Sequence, residues 1–408
     1  MRVRTLAAVG LCVGVVAGAE SVSTSQDEQD VVPFTIHVPD DVLQDLKTRL
    51  TRTRLPDQVQ DAAWDYGTDL SYLKELLAYW RDRFDWRAEE RRLNELHQFT
   101  TRIDGLKIHF VHERSKYPNA LPLVLTHGWP SSFLEFRQII GPLVDPVAHG
   151  GRADDAFHVV AISLPGYGFS ERPKTRGYGL DRMAGVIVQL MARLGYARYG
   201  AQGGDWGSGI SRLVALKDPG HVVGLHLNFC LAEPPAGVKD STEGVPVAEL
   251  ERAQARQAFF SSESGYFTLQ STKPQTVAYA LNDSPAGLAA WIVEKFRSWC
   301  DCGGNVEAKF TKDELLANIT LYWVTQTIAS SARIYYESMH ARPSAERVAV
   351  PTACALFPME LQLPPRRWVE AQYNLTRWTE MPRGGHFAAM EQPDLFVDDV
   401  RAFFRALR

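Results

Sequence analysis

The segment Gly203-Gly-Asp205-Trp-Gly207 places an acidic side chain at the centre of a turn, with a glycine two residues away on each side. The apolar stretch Tyr199-Gly-Ala201 precedes it and an amphipathic stretch over 207–217 follows, so the turn joins a predicted strand to a predicted helix. This is the spacing of a nucleophile elbow, with aspartate where serine is usual. So sharp a turn strains its central residue, and the neighbours two places away must then lack side chains. The helix N-terminus that follows favours negative charge at the same point. The residue type sets the chemistry. A serine needs a base to take its proton, whereas a carboxylate is ordinarily anionic at neutral pH. Asp205 can therefore attack an electrophilic sp³ carbon directly, leaving an ester that water must cleave. The plainer reading is a glycine-rich turn in which Asp205 only caps the next helix.

Cleaving that ester needs a base, an acid to orient it and donors for an oxyanion, and candidates for all three occur in a suitable order. His127-Gly-Trp-Pro130 follows the apolar run ending at Thr126. Such a loop supplies one backbone N–H to an oxyanion hole, here that of Trp129, and Trp206 supplies the other as the residue after the nucleophile. His127 and Pro130 are candidates for the substrate-facing wall, although a histidine bonded within its own loop is the plainer reading of His127. Gly384-Gly-His386-Phe lies after a β-like stretch and before the last helix, where the base belongs. Phe357-Pro-Met-Glu360 ends another predicted strand, and a carboxylate there orients the imidazole. Glu233 and Asp394 are rival orienting acids; the position of Glu360 between nucleophile and histidine favours it.

These residues require a scaffold that brings strand ends together. Residues 106–112 alternate as a strand does, and 121–126 and 157–163 are short continuous apolar runs. Helical patterns at 180–194 and 207–217 alternate with them, and 222–227 reads as a further strand. Apolar strands alternating with amphipathic helices indicate a mostly parallel sheet covered on both faces. Strand signals vanish over 233–344, where 288–299 and 315–339 read as helical, and resume at 348–357 and 375–381 before a helix over 393–407. Upstream, 33–39 reads as extended, Asp40 starts a helix as an acidic cap, and 70–86 reads as one helix. The expected organisation is thus a leader over 1–19, a linker over 20–31, a helical arm over 32–98, an α/β core over 99–232 and 345–408, and a helical cap inserted over 233–344.

Composition narrows the function. The chain has 408 residues, a net charge of −4 and no basic run able to track a phosphate backbone, so nucleic acid is not expected as a partner. Five cysteines, at positions 12, 230, 300, 302 and 354, are too few for a disulfide scaffold, and Cys300-Asp-Cys302 lacks the gap of a zinc knuckle. They read as incidental thiols, and no metal or cofactor is expected. Met1-Arg-Val-Arg4, an apolar run from Leu6 and the end Ala17-Gly-Ala19 read as a secretory signal peptide, with an uncleaved membrane-associating anchor as the alternative.

The motifs together resemble the microsomal-type epoxide hydrolases over nearly the whole chain from residue 32. The resemblance rests on His127-Gly-Trp-Pro-Ser-Ser, Gly203-Gly-Asp-Trp-Gly-Ser, Phe357-Pro-Met-Glu360 and Arg383-Gly-Gly-His-Phe-Ala-Ala, with Ser264-Gly-Tyr266 and Gln270-Ser-Thr-Lys-Pro274 in the cap. It implies an α/β-hydrolase fold and a cofactor-independent enzyme taking a small apolar epoxide and water to a vicinal diol. It also implies two cap tyrosines that hydrogen-bond the epoxide oxygen. Among Tyr266, Tyr279, Tyr322, Tyr335 and Tyr336, spacing alone makes no choice; the motif match points to Tyr266 and Tyr335, with Tyr336 adjacent. Two rivals stand beside this reading. A haloalkane dehalogenase uses the same aspartyl ester but needs halide-binding Trp or Asn donors, and a non-catalytic binding protein has no need of the Asp205, Glu360 and His386 set.

Overall fold

A computed structural model describes residues 30–235, 240–342 and 344–408. The segment read as a leader lies outside them, as does most of the linker. Nine strands form one sheet: β1 (Val32–Pro33), β2 (Gln98–Ile103), β3 (Leu106–Glu113), β4 (Leu121–Thr126), β5 (Phe157–Ile162), β6 (Tyr199–Gly203), β7 (Val222–Leu227), β8 (Val348–Leu356) and β9 (Tyr373–Glu380). Their order is β1-β2-β3-β5-β4-β6-β7-β8-β9. The first three join antiparallel, and every pairing from β5 to β9 is parallel.

The apolar runs work by alternation. In β4, Leu123 and Leu125 enter one apolar cluster and Val124 the other; in β5, Val159 and Ala161 separate from Val160 and Ile162 in the same way. Successive side chains of a strand point to opposite faces, so both sides of the sheet acquire a core. One side carries α5 (Leu180–Arg193) and α6 (Trp206–Lys217), the other α4 (Arg137–Val144) and α15 (Pro393–Arg405).

In the arm, α1 (Asp40–Thr51), α2 (Leu70–Asp82) and α3 (Trp86–Leu93) lie between β1 and β2. The helix read over 70–86 ends at Asp82, and a second begins at Trp86. Asp85 accepts from Ala88 N at 3.1 Å and starts α3, so the apolar periodicity runs across a break. Asp40 is not a cap: Pro39 holds that position with no side-chain bond, and Asp40 and Asp41 sit in the first turn, where the helix dipole favours them. Of the extended piece expected over 33–39 only Pro33 pairs in the sheet, together with Val32 before it.

Between β7 and β8 come α7 (Val247–Glu263), α8 (Gly265–Thr272), α9 (Pro274–Asp283), α10 (Pro285–Trp299), α11 (Lys312–Thr325) and α12 (Ile328–Met339). The stretch read as helical over 315–339 breaks at Gln326, which takes a left-handed conformation at φ 52°. No proline or glycine marks that break in the sequence. After β8 follow α13 (Arg366–Gln372), α14 (Ala388–Glu391) and α15.

The cysteines depart from expectation. Cys230 bonds Cys354 across 124 residues, and Cys300 bonds Cys302. Parallel pairing of β7 with β8 sets Leu227 beside Cys354, and Cys230 follows three residues later, a proximity that the primary sequence does not contain.

Candidate active site

Asp205 follows β6, the His127–Pro130 loop follows β4, Glu360 follows β8 and His386 follows β9, so every core contribution lies beyond the carboxyl end of a parallel strand. Thr126 and Gly203 are register partners, which releases the loop and the elbow side by side. Asp205 sits at φ 48° and ψ −132°, a backbone conformation that non-glycine residues rarely adopt. Gly207 is required here, because a Cβ on it would overlap Thr126 O.

The Asp205 carboxylate makes no cap bond to α6. It turns the other way, accepting from Trp129 N at 2.7 Å through Oδ1 and facing His386 Nε2 at 3.2 Å through Oδ2. A Cβ on Gly128 would occupy the space this carboxylate uses. The capping role is thereby displaced: the elbow aims the charge into the site rather than at the helix. Trp206 N, the first amide after Asp205, is not engaged by that carboxylate.

His386 Nδ1 lies 2.6 Å from Glu360 Oε1, and Glu360 is 1% exposed. The rival acids Glu233 and Asp394 are both exposed. Burial pulls the imidazolium of His386 down, but the charges and hydrogen bonds of Glu360 and Asp205 together outweigh it and hold the group well above its ordinary range. His386 thus bridges two carboxylates, an arrangement that favours its charged form.

The cap supplies the facing wall. Tyr266 on α8 stacks on Trp129 with centroids 5.4 Å apart, and Tyr335 on α12 meets Trp206 edge-on at 4.8 Å and Tyr266 at 5.8 Å. The Tyr335 hydroxyl is buried without a hydrogen-bond partner. The other three tyrosines are placed differently. Tyr336 is 37% exposed and stacks on His340, Tyr279 is exposed, and Tyr322 donates to Ser131 O at 2.7 Å. Burial and the charge of Asp205 raise Tyr266 far above a free phenol; burial, Tyr266 and Asp205 do the same for Tyr335. Both phenols keep their protons as donors must. A cleft of about 870 Å³ between the arm segment 54–73 and helices α7, α8 and α10 has Tyr266 in its wall.

Residues 31–136 match the family model described as the epoxide hydrolase N terminus, and residues 122–230 match that of the alpha/beta hydrolase fold. Epoxide hydrolase 1 of Sus scrofa is 40% identical over 417 residues, spanning 96% of this chain and 92% of that protein. The chain belongs to the epoxide hydrolase family. A protein of Stigmatella aurantiaca named as a candidate member is 49% identical over 379 residues, 93% of this chain and 86% of its own. Among solved family structures, the juvenile hormone epoxide hydrolase of the silkworm Bombyx mori matches with a TM-score of 0.87 at 33% identity, covering 94% of this chain and 96% of that one.

Within this family site two expected residues are occupied elsewhere. His127 Nδ1 bonds Gly128 O at 3.0 Å and Nε2 accepts from Leu164 N at 3.4 Å, while burial lowers its pKa to about 4. Neither ring nitrogen is left for a ligand. Pro130 follows a cis peptide bond, and its carbonyl accepts from Asn318 Nδ2 at 2.8 Å. Sequence reasoning passed over Trp299, whose ring meets His386 edge-on at 5.0 Å, and the buried acids Glu135 and Glu391. Burial pushes both carboxyls up to about 7, opposed by a bond from Ser131 in the first and by three backbone N–H groups in the second. No spacing rule singles them out. Among the described residues no group of three or more His, Cys, Asp or Glu side chains is arranged to hold a metal.

Proposed function

We propose that this epoxide hydrolase opens its substrate through a covalent ester on Asp205. Tyr266 and Tyr335 donate to the epoxide oxygen as it becomes an alkoxide, and the free Asp205 carboxylate attacks a ring carbon. Esterification removes the Asp205 charge, and with it part of what keeps His386 protonated. The imidazole's pKa then falls, its proton is released to neutralise the alkoxide, and with Glu360 holding Nδ1 the neutral ring takes a proton from the water that attacks the ester. Trp129 N and Trp206 N receive the tetrahedral oxyanion. The diol leaves and the resting ion pair returns. The observation that carries this reading is the Asp205 carboxylate, turned from its helix toward Trp129 N and His386 Nε2.

The test is mass spectrometry of His386→Gln incubated with styrene oxide. A substrate-mass adduct on the Asp205 peptide is expected; its absence across varied epoxides sinks the ester. Chloride release from a haloalkane would instead indicate a dehalogenase, a reading the two cap phenols disfavour. Secretion fits the two disulfides, which persist in oxidising compartments. No helix among the described residues is long and apolar enough to cross a membrane. A mature N-terminus at Glu20 in exported protein would support cleavage of the leader.

A further inference from the structure

The loop carrying His386 is anchored at four consecutive backbone N–H groups. Gly384 N donates to Asp301 Oδ2 at 2.8 Å, and His386 N donates to Trp299 O at 3.0 Å. The two amides flanking the histidine, Gly385 N and Phe387 N, both donate to the Glu391 carboxylate, at 3.0 and 2.9 Å. Glu391 Oε2 also accepts from Asp301 N at 2.7 Å. One buried carboxylate thus grips the base from both sides and ties it to the segment after α10, which the Cys300–Cys302 bond closes. A glutamate has no reason to be 7% exposed on a four-residue helix unless its oxygens are used, and here every bond it makes is to this loop or to the cap segment beneath it.

We infer that Glu391 is a positioning residue for ester hydrolysis, acting through the His386 loop and registering that loop to the cap. Ester formation needs Asp205 and the phenols and does not need the base. Hydrolysis needs an imidazole held in line with one water, where a displacement of about 1 Å costs on the order of 100-fold. Glu391 therefore governs the second half-reaction selectively. It does so without touching substrate.

The inference rests on His386 acting as the base, and the experiment separates the two. Single-turnover reactions with styrene oxide, quenched and analysed for the Asp205 ester, are run on the parent, His386→Gln and Glu391→Gln. In Glu391→Gln, ester formation should stay within about twofold of the parent while hydrolysis slows about 10- to 100-fold, so the ester accumulates. Glu391→Asp keeps the charge but draws it back by one methylene. It should slow the same step, and serves if the glutamine variant does not fold. Equal slowing of both half-reactions, or of neither, overturns the inference. Ester in His386→Gln without ester in either Glu391 variant overturns it alone, and no ester in His386→Gln overturns the base reading as well.

Discussion

The two walls of the site spend their polar groups differently. On the core side, Asp205, His386 and Glu360 are bonded to one another and to the Trp129 and Leu361 amides. On the cap side, Tyr266 and Tyr335 are held by ring packing against Trp129 and Trp206, and the Tyr335 hydroxyl has no partner. One wall is a hydrogen-bonded chain fixed at strand ends, with Glu360 Oε2 left over, and the other is an aromatic layer that leaves a donor free. Groups that pass charge and protons to one another in turn benefit from being pre-aligned, whereas a phenol that is to donate to the epoxide oxygen has to keep its hydroxyl unspent.

The comparison breaks most severely at the nucleophile. Asp205→Asn retains the turn and its amide contacts but cannot form the ester, so diol formation from styrene oxide should fall by about 10⁴-fold or more. A smaller loss would place the attack elsewhere. The proposed base on the same wall should show in the pH dependence. Only neutral imidazole accepts the water proton, so kcat should decline as pH drops below the His386 pKa of the esterified enzyme, by about tenfold per unit at the limit. A flat profile between pH 5 and 8 would remove His386 from the base role.

On the cap wall the losses should be milder, because one phenol remains when the other goes. Tyr335→Phe should slow ester formation by about 10- to 100-fold in stopped-flow single turnovers, with hydrolysis unaffected. Tyr336→Phe should leave both steps unchanged; the reverse pattern would exchange the two roles. Last comes the root of the cap. Cys230→Ser with Cys354→Ser opens a loop of 124 residues. Denaturant unfolding should then show about 4 kcal/mol less stability, with the core contacts preserved.

Legibility followed the range of the physics involved. The strands and most helices could be read because alternation and the 3.6-residue period are local, and both apolar clusters inherit that alternation. Helix ends were harder. The breaks at Asp85 and Gln326 carry no proline or glycine, so the reading over 70–86 overran α2 by four residues and that over 315–339 merged α11 with α12. The elbow was legible since its motif spans five residues, although Thr126 O, distant in the chain, is what holds Gly207 to glycine. The incidental-thiol reading failed because bonding depends on the register of β7 against β8, and Glu391 escaped notice because its partners are backbone amides without side-chain identity.

The sequence by itself determined that a carboxylate occupies a strained strand-to-helix turn, with a histidine loop and an acid following in order, because local sterics and chain order are properties of one dimension. Only the tertiary structure decided where that carboxylate points, that Glu360 rather than Glu233 or Asp394 meets the imidazole, and that Tyr335 faces inward while Tyr336 faces solvent. Those choices depend on which face of an element is buried and on distances between residues far apart in the chain, and packing alone sets them.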